Sequence, residues 1–432
     1  MIFIQGMRRL LPLFLLAACP VFLSAEEAEV PLTWEECVAS ARQHNPGLKA
    51  AEAAVEQASA TKGKTRSSLL PSVSFGLDAD RSKTSGDDPG DSYGYSLSAR
   101  QLLFDGLKSW YDLDQSDRDF ISSLYSYDVT SSTIRLNLAT AFIELLRSQG
   151  WLEISRDIIR RRSQQLEMVK LRYEAGREHK GALMTSRANY AQAEFDLTQA
   201  RRDILLARQQ LVKEMGLTDV LPYRAEGDLA VAVGVAGDQD PTRLAASHPA
   251  VLMMTARKEA AEYAVKSAWS QFFPEVYGTA RIGRSDSEWP PASESWALGI
   301  SLSLPLFEGG GRIEEKIRAS AALRGAAEEE RSELDGVLYT LRERWKDLND
   351  AVDRLTVQKM YLDADQERSR IAEAQYGNGL LTFDNWIIIE DNLVRTKKTY
   401  LEAQAAALAA QARWLNAQGV PLVPGGVFEG SR

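Results

Sequence analysis

A fixed spacing of 203 residues limits what this chain can become. It pairs Phe104 with Phe307, Gly106 with Gly309, Pro46 with Pro249, Pro71 with Pro274, Gly176 with Gly379 and Gly216 with Gly419. Gly176 and Gly379 each follow a tyrosine, Tyr173 or Tyr376, by three residues. Prolines and glycines mark where elements begin and end, so keeping these landmarks without an insertion means that one set of elements occurs twice. The duplication predicts a first repeat over 26–216, a linker over 217–240, a second repeat over 241–419 and a tail over 420–432.

Within the first repeat, Thr33 with Glu36 three residues on predicts a capped short helix, which Asn45-Pro46 breaks before an alanine-rich helix running to Leu70. Beyond Pro71, Val73, Phe75, Leu77 and Ala79 alternate with small or polar residues, and Tyr93, Tyr95, Leu97 and Ala99 do so again after a Gly, Asp, Pro and Ser loop. That period of two predicts a strand hairpin over 72–103, apolar on one face. The second repeat predicts its counterpart over 275–306, where Trp296, Leu298, Ile300 and Leu302 line the apolar face of the returning strand. Pro305 ends that strand, and Gly309 to Gly311 turn the chain.

Helical sequence follows each hairpin at great length. No proline interrupts Gly106 to Tyr173 or Gly311 to Tyr376. Leu334, Leu338, Leu341, Trp345, Leu348, Val352 and Leu355 step by four and three, the seam of a coiled coil. A helix of some sixty residues is roughly 100 Å long. After Gly176 and Gly379 the chain returns with alanine-rich seams (Leu197, Ala200, Ile204, Ala207, Leu211, then Tyr400, Ala403, Ala407, Ala410, Trp414) that allow close helix approach. Two long helical hairpins are predicted, over 106–216 and 309–419, and Val231, Val233 and Val235 suggest a short strand between the repeats.

Residues 1–25 have the form of a signal peptide: Arg8 and Arg9, then an apolar run, then small residues before Glu26. Cleavage after Ala25 competes with lipidation at Cys19, and Pro20 directly after the cysteine favours the former. Either way Cys37 is the only unmodified cysteine, which leaves no intramolecular disulfide. No later stretch is apolar for long enough to be a membrane-spanning helix, so any membrane passage falls to the strands. A formal charge of −9 argues against nucleic acid as a partner. His44, His179 and His248 lack metal-ligand spacing, and the glycine run Gly309 to Gly311 lacks the lysine of a phosphate loop. We expect no metal, no cofactor and no enzymatic activity.

Four strands with one apolar face present a problem in lipid, where an open sheet edge leaves backbone groups unsatisfied at several kcal/mol each. Only closed barrels survive there, and the small ones use about eight strands. The chain must pool its strands with copies of itself, and the helical seams imply the same.

The order Leu32-Thr33-Trp34-Glu35-Glu36, Asn45-Pro46, Leu304-Pro305-Leu306-Phe307-Glu308-Gly309-Gly310 and Tyr376-x-x-Gly379 resembles that of the TolC-like outer membrane efflux proteins, across nearly the whole mature chain. The resemblance implies a mainly α fold with a membrane β-barrel. In that arrangement a homotrimer pools four strands per chain into twelve, and its helical hairpins form an α-barrel through the periplasm. It implies a passive exit duct of an efflux or type I secretion system, docked at its inner tip on an adaptor and an RND or ABC inner-membrane pump. The family's acidic ring positions fall here on Asn385 and Ile388, neither of them acidic, so with the neighbouring Asp384 they suggest a constriction that is part polar and part hydrophobic. Asp384 as a helix cap is the competing reading. Arg177, Glu178, His179, Lys180, Leu380 and Leu381 at the two tips are candidate adaptor contacts, competing with a plain solvated loop. Arg100 and Arg281 on the polar strand faces are candidates for a barrel lumen. The alternative function is an exported periplasmic coiled-coil scaffold or adhesion protein without a pore. Such a protein would have to pack Val73, Phe75, Leu298 and Ile300 against apolar partners of its own. A general porin is disfavoured, because it needs many strands per chain and no such helices.

Overall fold

A computed structural model describes residues 29–422 except 84, 87, 220 and 230–239. The leader with Cys19 and the valine-rich strand expected at 231–235 lie outside the described residues. Two short strands, β1 (Val30–Leu32) and β4 (Tyr223–Ala225), pair in parallel, a contact the sequence did not suggest. Between them lies the first repeat: α1 (Trp34–His44), α2 (Pro46–Ser67), β2 (Ser72–Ser82), β3 (Gly90–Phe104), α3 (Lys108–Glu174) and α4 (Lys180–Met215). The second repeat comprises α5 (Pro241–Ala246), α6 (Pro249–Ser270), β5 (Glu275–Asp286), β6 (Ser293–Ser303), α7 (Gly311–Gly377) and α8 (Phe383–Ala417). Each long helix, α3 and α7, has 67 residues, and their bounds differ by the same 203 positions as the landmarks.

Local chemistry explains the element ends. Thr33 and Glu36 form the predicted capping box on α1, with the Glu36 carboxylate accepting from the Thr33 backbone N–H at 2.8 Å. Asn45 caps α2 by accepting from the Gly47 and Leu48 amides, with Pro46 in the first turn. One repeat later His248 does the same for α6, its Nδ1 accepting from the Ala250 amide at 3.2 Å. Burial lowers the pKa of His248, which keeps the ring neutral and able to accept. Buried Cys37 has its thiol pushed up to about 12, chiefly by desolvation, and is inert as a nucleophile.

The four long strands form one antiparallel sheet in the order β2-β3-β5-β6. Its register gathers like with like. Val73, Ala99, Ala280 and Leu298 form one row across the sheet, and Phe75, Leu97, Ile282 and Trp296 form the next. On the opposite face, Ser74, Ser98, Arg281 and Ala297 form a row, beside one of Ser72, Arg100, Thr279 and Gly299. Among the described residues the apolar rows have nothing to pack on: Phe75 is 68 % exposed, Leu298 81 % and Ile300 77 %. Strands β2 and β6 each pair on one side only, which leaves two open edges.

Away from the sheet, α3 is the spine, touching α2, α4, α6 and α8, whereas α7 packs on α6, α8 and α5. The main core joins α1, α2, α3 and α4 through Ala41, Leu48, Leu124, Leu138, Leu145 and Leu211. The heptad seam of α7 holds, with Leu341 and Leu348 buried against Trp414, and Trp345 and Val352 beside them. The end of α4 abuts the start of α2. Gly216 there has φ +78°, a Cβ added to it would lie 2.4 Å from the His44 carbonyl carbon, and the Asn45 amide donates to the Glu214 carbonyl at 2.8 Å. Gly176 has a similar φ, +70°, but open space around it. Gly176→Ala should therefore cost only the backbone term, about 1 kcal/mol. Gly216→Ala should cost at least about 3 kcal/mol, because the junction must also open. Denaturant melts of the two variants, side by side, check the difference.

Candidate functional site at the helical tip

The helical hairpins turn at 175–179 and 378–382, and the structure packs the two turns against each other. Gly176 and Gly379 supply the left-handed residue that ends each outgoing helix. His179 caps α4, its Nδ1 accepting from the Ala182 amide at 3.1 Å. Thr382 occupies the cap position of α8. Asp384 is therefore not the cap; it lies in the first turn, where a carboxylate is favoured by the helix dipole.

Between the turns lies a small core of Val169, Ala182, Leu183, Ala372, Tyr376, Phe383 and Trp386. Tyr376 is fully buried at its centre. Trp386 stacks on one face of its ring at 4.2 Å and 16°, and the Arg172 guanidinium lies over the ring 4.5 Å from the centroid. The phenol donates to Glu178 Oε2 at 2.9 Å, and Arg172 donates to the Tyr376 carbonyl at 2.6 Å. Burial first, and then this carboxylate, push the phenol pKa up, so it remains a donor. Polar ties continue up the α3–α8 seam. Arg162, almost fully buried, donates to Asp391 at 2.5 Å; Gln165 donates to Glu390 at 2.8 Å; Ser369 donates to the same carboxylate at 2.5 Å. Lys397 donates to Asp157 at 2.6 Å. Burial alone would raise the Asp157 pKa, but the hydrogen bonds from Lys397 and Arg160 outweigh it and hold it down at about 2. Apart from the Ser369–Glu390 bond, which joins α7 to α8, each tie joins α7 or α8 to the first hairpin, so the set is a latch between repeats.

The residues singled out from sequence divide accordingly. Asp384, Asn385 and Ile388 share the exposed face of α8, with Ile388 56 % exposed beside a well-packed core. Arg177, Lys180 and Leu380 are exposed, whereas Glu178 is committed to Tyr376, His179 to its helix cap and Leu381 to the tip core. Arg100 lies on the sheet's polar face over the Tyr277 ring, 3.9 Å from its centroid, and Arg281 lies on the same face. Sequence reasoning missed Arg162, Gln165, Arg172, Glu390 and Asp391. Their one signal was burial-prone polarity within a helical seam, and they lie far from their partners in the chain. Among the described residues there is no metal-binding cluster and no helix long and apolar enough to cross a membrane.

An exposed apolar sheet carried on long helical hairpins with a latched tip defines a subunit of an outer membrane channel that reaches into the periplasm. The chain belongs to the outer membrane efflux protein family, whose model matches residues 37–217 and 241–420, one match per repeat. It is 22 % identical to the outer membrane protein TolC of Escherichia coli, over 96 % of this chain and 87 % of TolC. It is 27 % identical to the pyoverdine export outer membrane protein OpmQ of Pseudomonas putida, over 89 % of this chain and 85 % of OpmQ. Among solved structures, CusC superimposes with a TM-score of 0.81 at 16 % identity, covering 89 % of this chain and 91 % of CusC. The open state of the Neisseria gonorrhoeae MtrE outer membrane channel also gives 0.81, at 17 % identity over 90 % of this chain and 89 % of MtrE. The scaffold alternative gives way to this membership.

Two outcomes check the latch. Tyr376→Phe removes a hydrogen bond to a carboxylate, worth about 1.5–3 kcal/mol, and should speed amide hydrogen exchange in the first turns of α8 about tenfold to a hundredfold. Asp157 has a depressed pKa, so its contribution is complete above the ordinary carboxylate range and lost as pH falls through about 2. The difference in melting temperature between wild type and Asp157→Asn should hold steady from pH 8 to 5 and close as pH falls below about 4.

Proposed function

We propose that three copies of this chain form a passive exit duct for efflux or type I secretion, closed at the periplasmic tip until an adaptor and an RND or ABC inner-membrane pump dock there. The observation that carries the reading is the sheet: one face apolar and exposed across its rows from Val73 to Leu298 and from Phe75 to Trp296, the other polar, both edges unpaired. Lipid is the environment that accepts such a face, and closure with neighbouring copies satisfies such edges. Three copies give twelve strands, within the range of membrane barrels. Arg100 and Arg281 would then line the lumen. At the other end, Asp384, Asn385 and Ile388 would ring the constriction, with the latch holding α7 and α8 inward. The exposed Arg177, Lys180 and Leu380 are the tip residues best placed to meet an adaptor. Glu178 would take part only once Tyr376 lets it go.

The test begins with native mass. The mature protein should run as a trimer in detergent and aggregate without it, and a detergent-free soluble monomer would overturn the reading. In planar bilayers, Arg162→Ala combined with Tyr376→Phe should raise resting conductance severalfold. Ile388→Ser should raise it by widening and wetting the constriction, and an unchanged conductance would remove Ile388 from the gate.

A further inference from the structure

The four strands of the sheet contain four arginines and no lysine. Their partners differ by face. Arg81 and Arg284 stand on the apolar side beyond its apolar rows, and each has a carboxylate directly across the strand pair, Asp91 at 3.5 Å and Glu294 at 3.2 Å. Arg100 and Arg281 stand on the polar face, both exposed, and among the described residues neither has a carboxylate within ion-pair distance. The register sets these two side by side. Arg100 faces Thr279 on β5, and Arg281 lies two residues further along that strand, a diagonal of roughly 7–8 Å. Like charges at this spacing repel, and an anion between them relieves the repulsion. Across three successive rows, those of Ser72, Ser74 and Gly76, every other position on this face is Ser, Thr, Gly or Ala. The two guanidinium groups are the only long side chains at that level.

The carboxylates of the same face are set apart from the pair. Asp78 lies four residues along β2 from Ser74, whose row contains Arg281, about 13 Å at the rise of a strand and beyond a Debye length of about 8 Å in physiological salt. Asp80 lies farther still towards the hairpin loop. Glu275, on the other side of the pair, accepts from the Tyr277 hydroxyl at 3.3 Å, while Arg100 lies over the face of that ring. Glu275 thus tempers Arg100, but it is six residues from Arg281, about 20 Å along β5, and leaves that charge uncompensated. Both arginines belong to β3 and β5, the two middle strands, so closure through the free edges of β2 and β6 leaves their polar face uncovered.

We propose that Arg100 and Arg281 form an anion station in the barrel lumen, which draws solutes carrying two or more carboxylate or phosphate charges through the barrel. The inference rests on the trimeric duct and adds the charge class of its cargo. Three copies, with two arginines each, bring six guanidinium groups to one belt of a wall otherwise lined by short side chains. A lumen with low-dielectric walls concentrates the field of such a belt and raises the local concentration of anions. Arginine rings suit anion pores, and the guanidinium fork matches the oxygens of carboxylate and phosphate.

The experiment records current through the mature protein in planar bilayers, in metal-free KCl at about 0.15 M so that screening matches physiological salt. Citrate added on the barrel side is the probe, and uncharged xylitol is the control. Citrate should reduce the wild-type current at a concentration at which xylitol does not. Arg100→Gln combined with Arg281→Gln should raise the half-blocking citrate concentration about tenfold, and Arg281→Gln alone about threefold. Arg100→Lys combined with Arg281→Lys keeps the charge and should stay within about threefold of wild type, which guards against a glutamine variant that fails to assemble. Arg284→Gln removes the same charge from the same strand on the opposite face and should leave the block unchanged. Conducting wild-type pores that citrate blocks no better than xylitol, or no better than it blocks the double glutamine variant, would overturn the proposal and leave the duct standing. Equal loss of block in Arg284→Gln would overturn it too, because total charge rather than the lumen pair would then be responsible. A wild type that forms no pores would remove the duct and the station with it.

Discussion

Unpaired backbone at a sheet edge governs this architecture. In water, β2 and β6 could each hydrogen-bond to solvent along the free edge. In a bilayer they cannot, and each orphaned group costs several kcal/mol. The register makes the apolar face continuous across four strands, so the sheet cannot escape by turning that face inward: a one-residue slip would expose Ser74, Ser98 and Arg281 to lipid instead. Closure with other copies is what remains, and the long helices inherit its curvature because each leaves the sheet through a short turn.

The helices divide the labour unequally despite their equal length. Twenty residues of α3 are buried within the protomer but only eight of α7, so the first repeat is the fixed part and the second leans on it. Exposed Tyr339, Met360 and Tyr361 on α7 fit a face that waits for a neighbour. At the tip the leaning is secured by charge and hydrogen bonds as well as by the small core around Tyr376 and Trp386. On the proposed gating, that chemistry suits a joint that opens, because water entering a half-exposed tie such as Arg162–Asp391 solvates both charges and offsets much of the lost attraction.

Much of the fold was readable from the residues, and the reason is punctuation. Gly176, Gly379, Pro46 and Pro249 act through local backbone geometry, which a sequence displays directly, and the strand faces follow from a period of two. The tip was readable only in part. Tyr376–Glu178 and Arg162–Asp391 join residues about 200 positions apart, and nothing local distinguishes Arg162 from the solvated Arg160 beside it. Asp384 was open to misreading because an acidic residue suits both a cap and a first turn; Thr382, two residues earlier, occupies the cap position. The β1–β4 pair was missed because three-residue strands leave no periodicity to find.

The open edges and the half-empty face of α7 also bear on how the protein comes into being. A protomer with these surfaces uncovered has no folding free energy of its own to quote, because its stability rises with the number of copies nearby. Supply therefore becomes a structural variable: sparse chains favour the unassembled state by mass action, and newly made ones carry a sticky sheet until neighbours arrive. Production in bursts, several chains at one place, would do for this fold what a disulfide does for a small secreted domain.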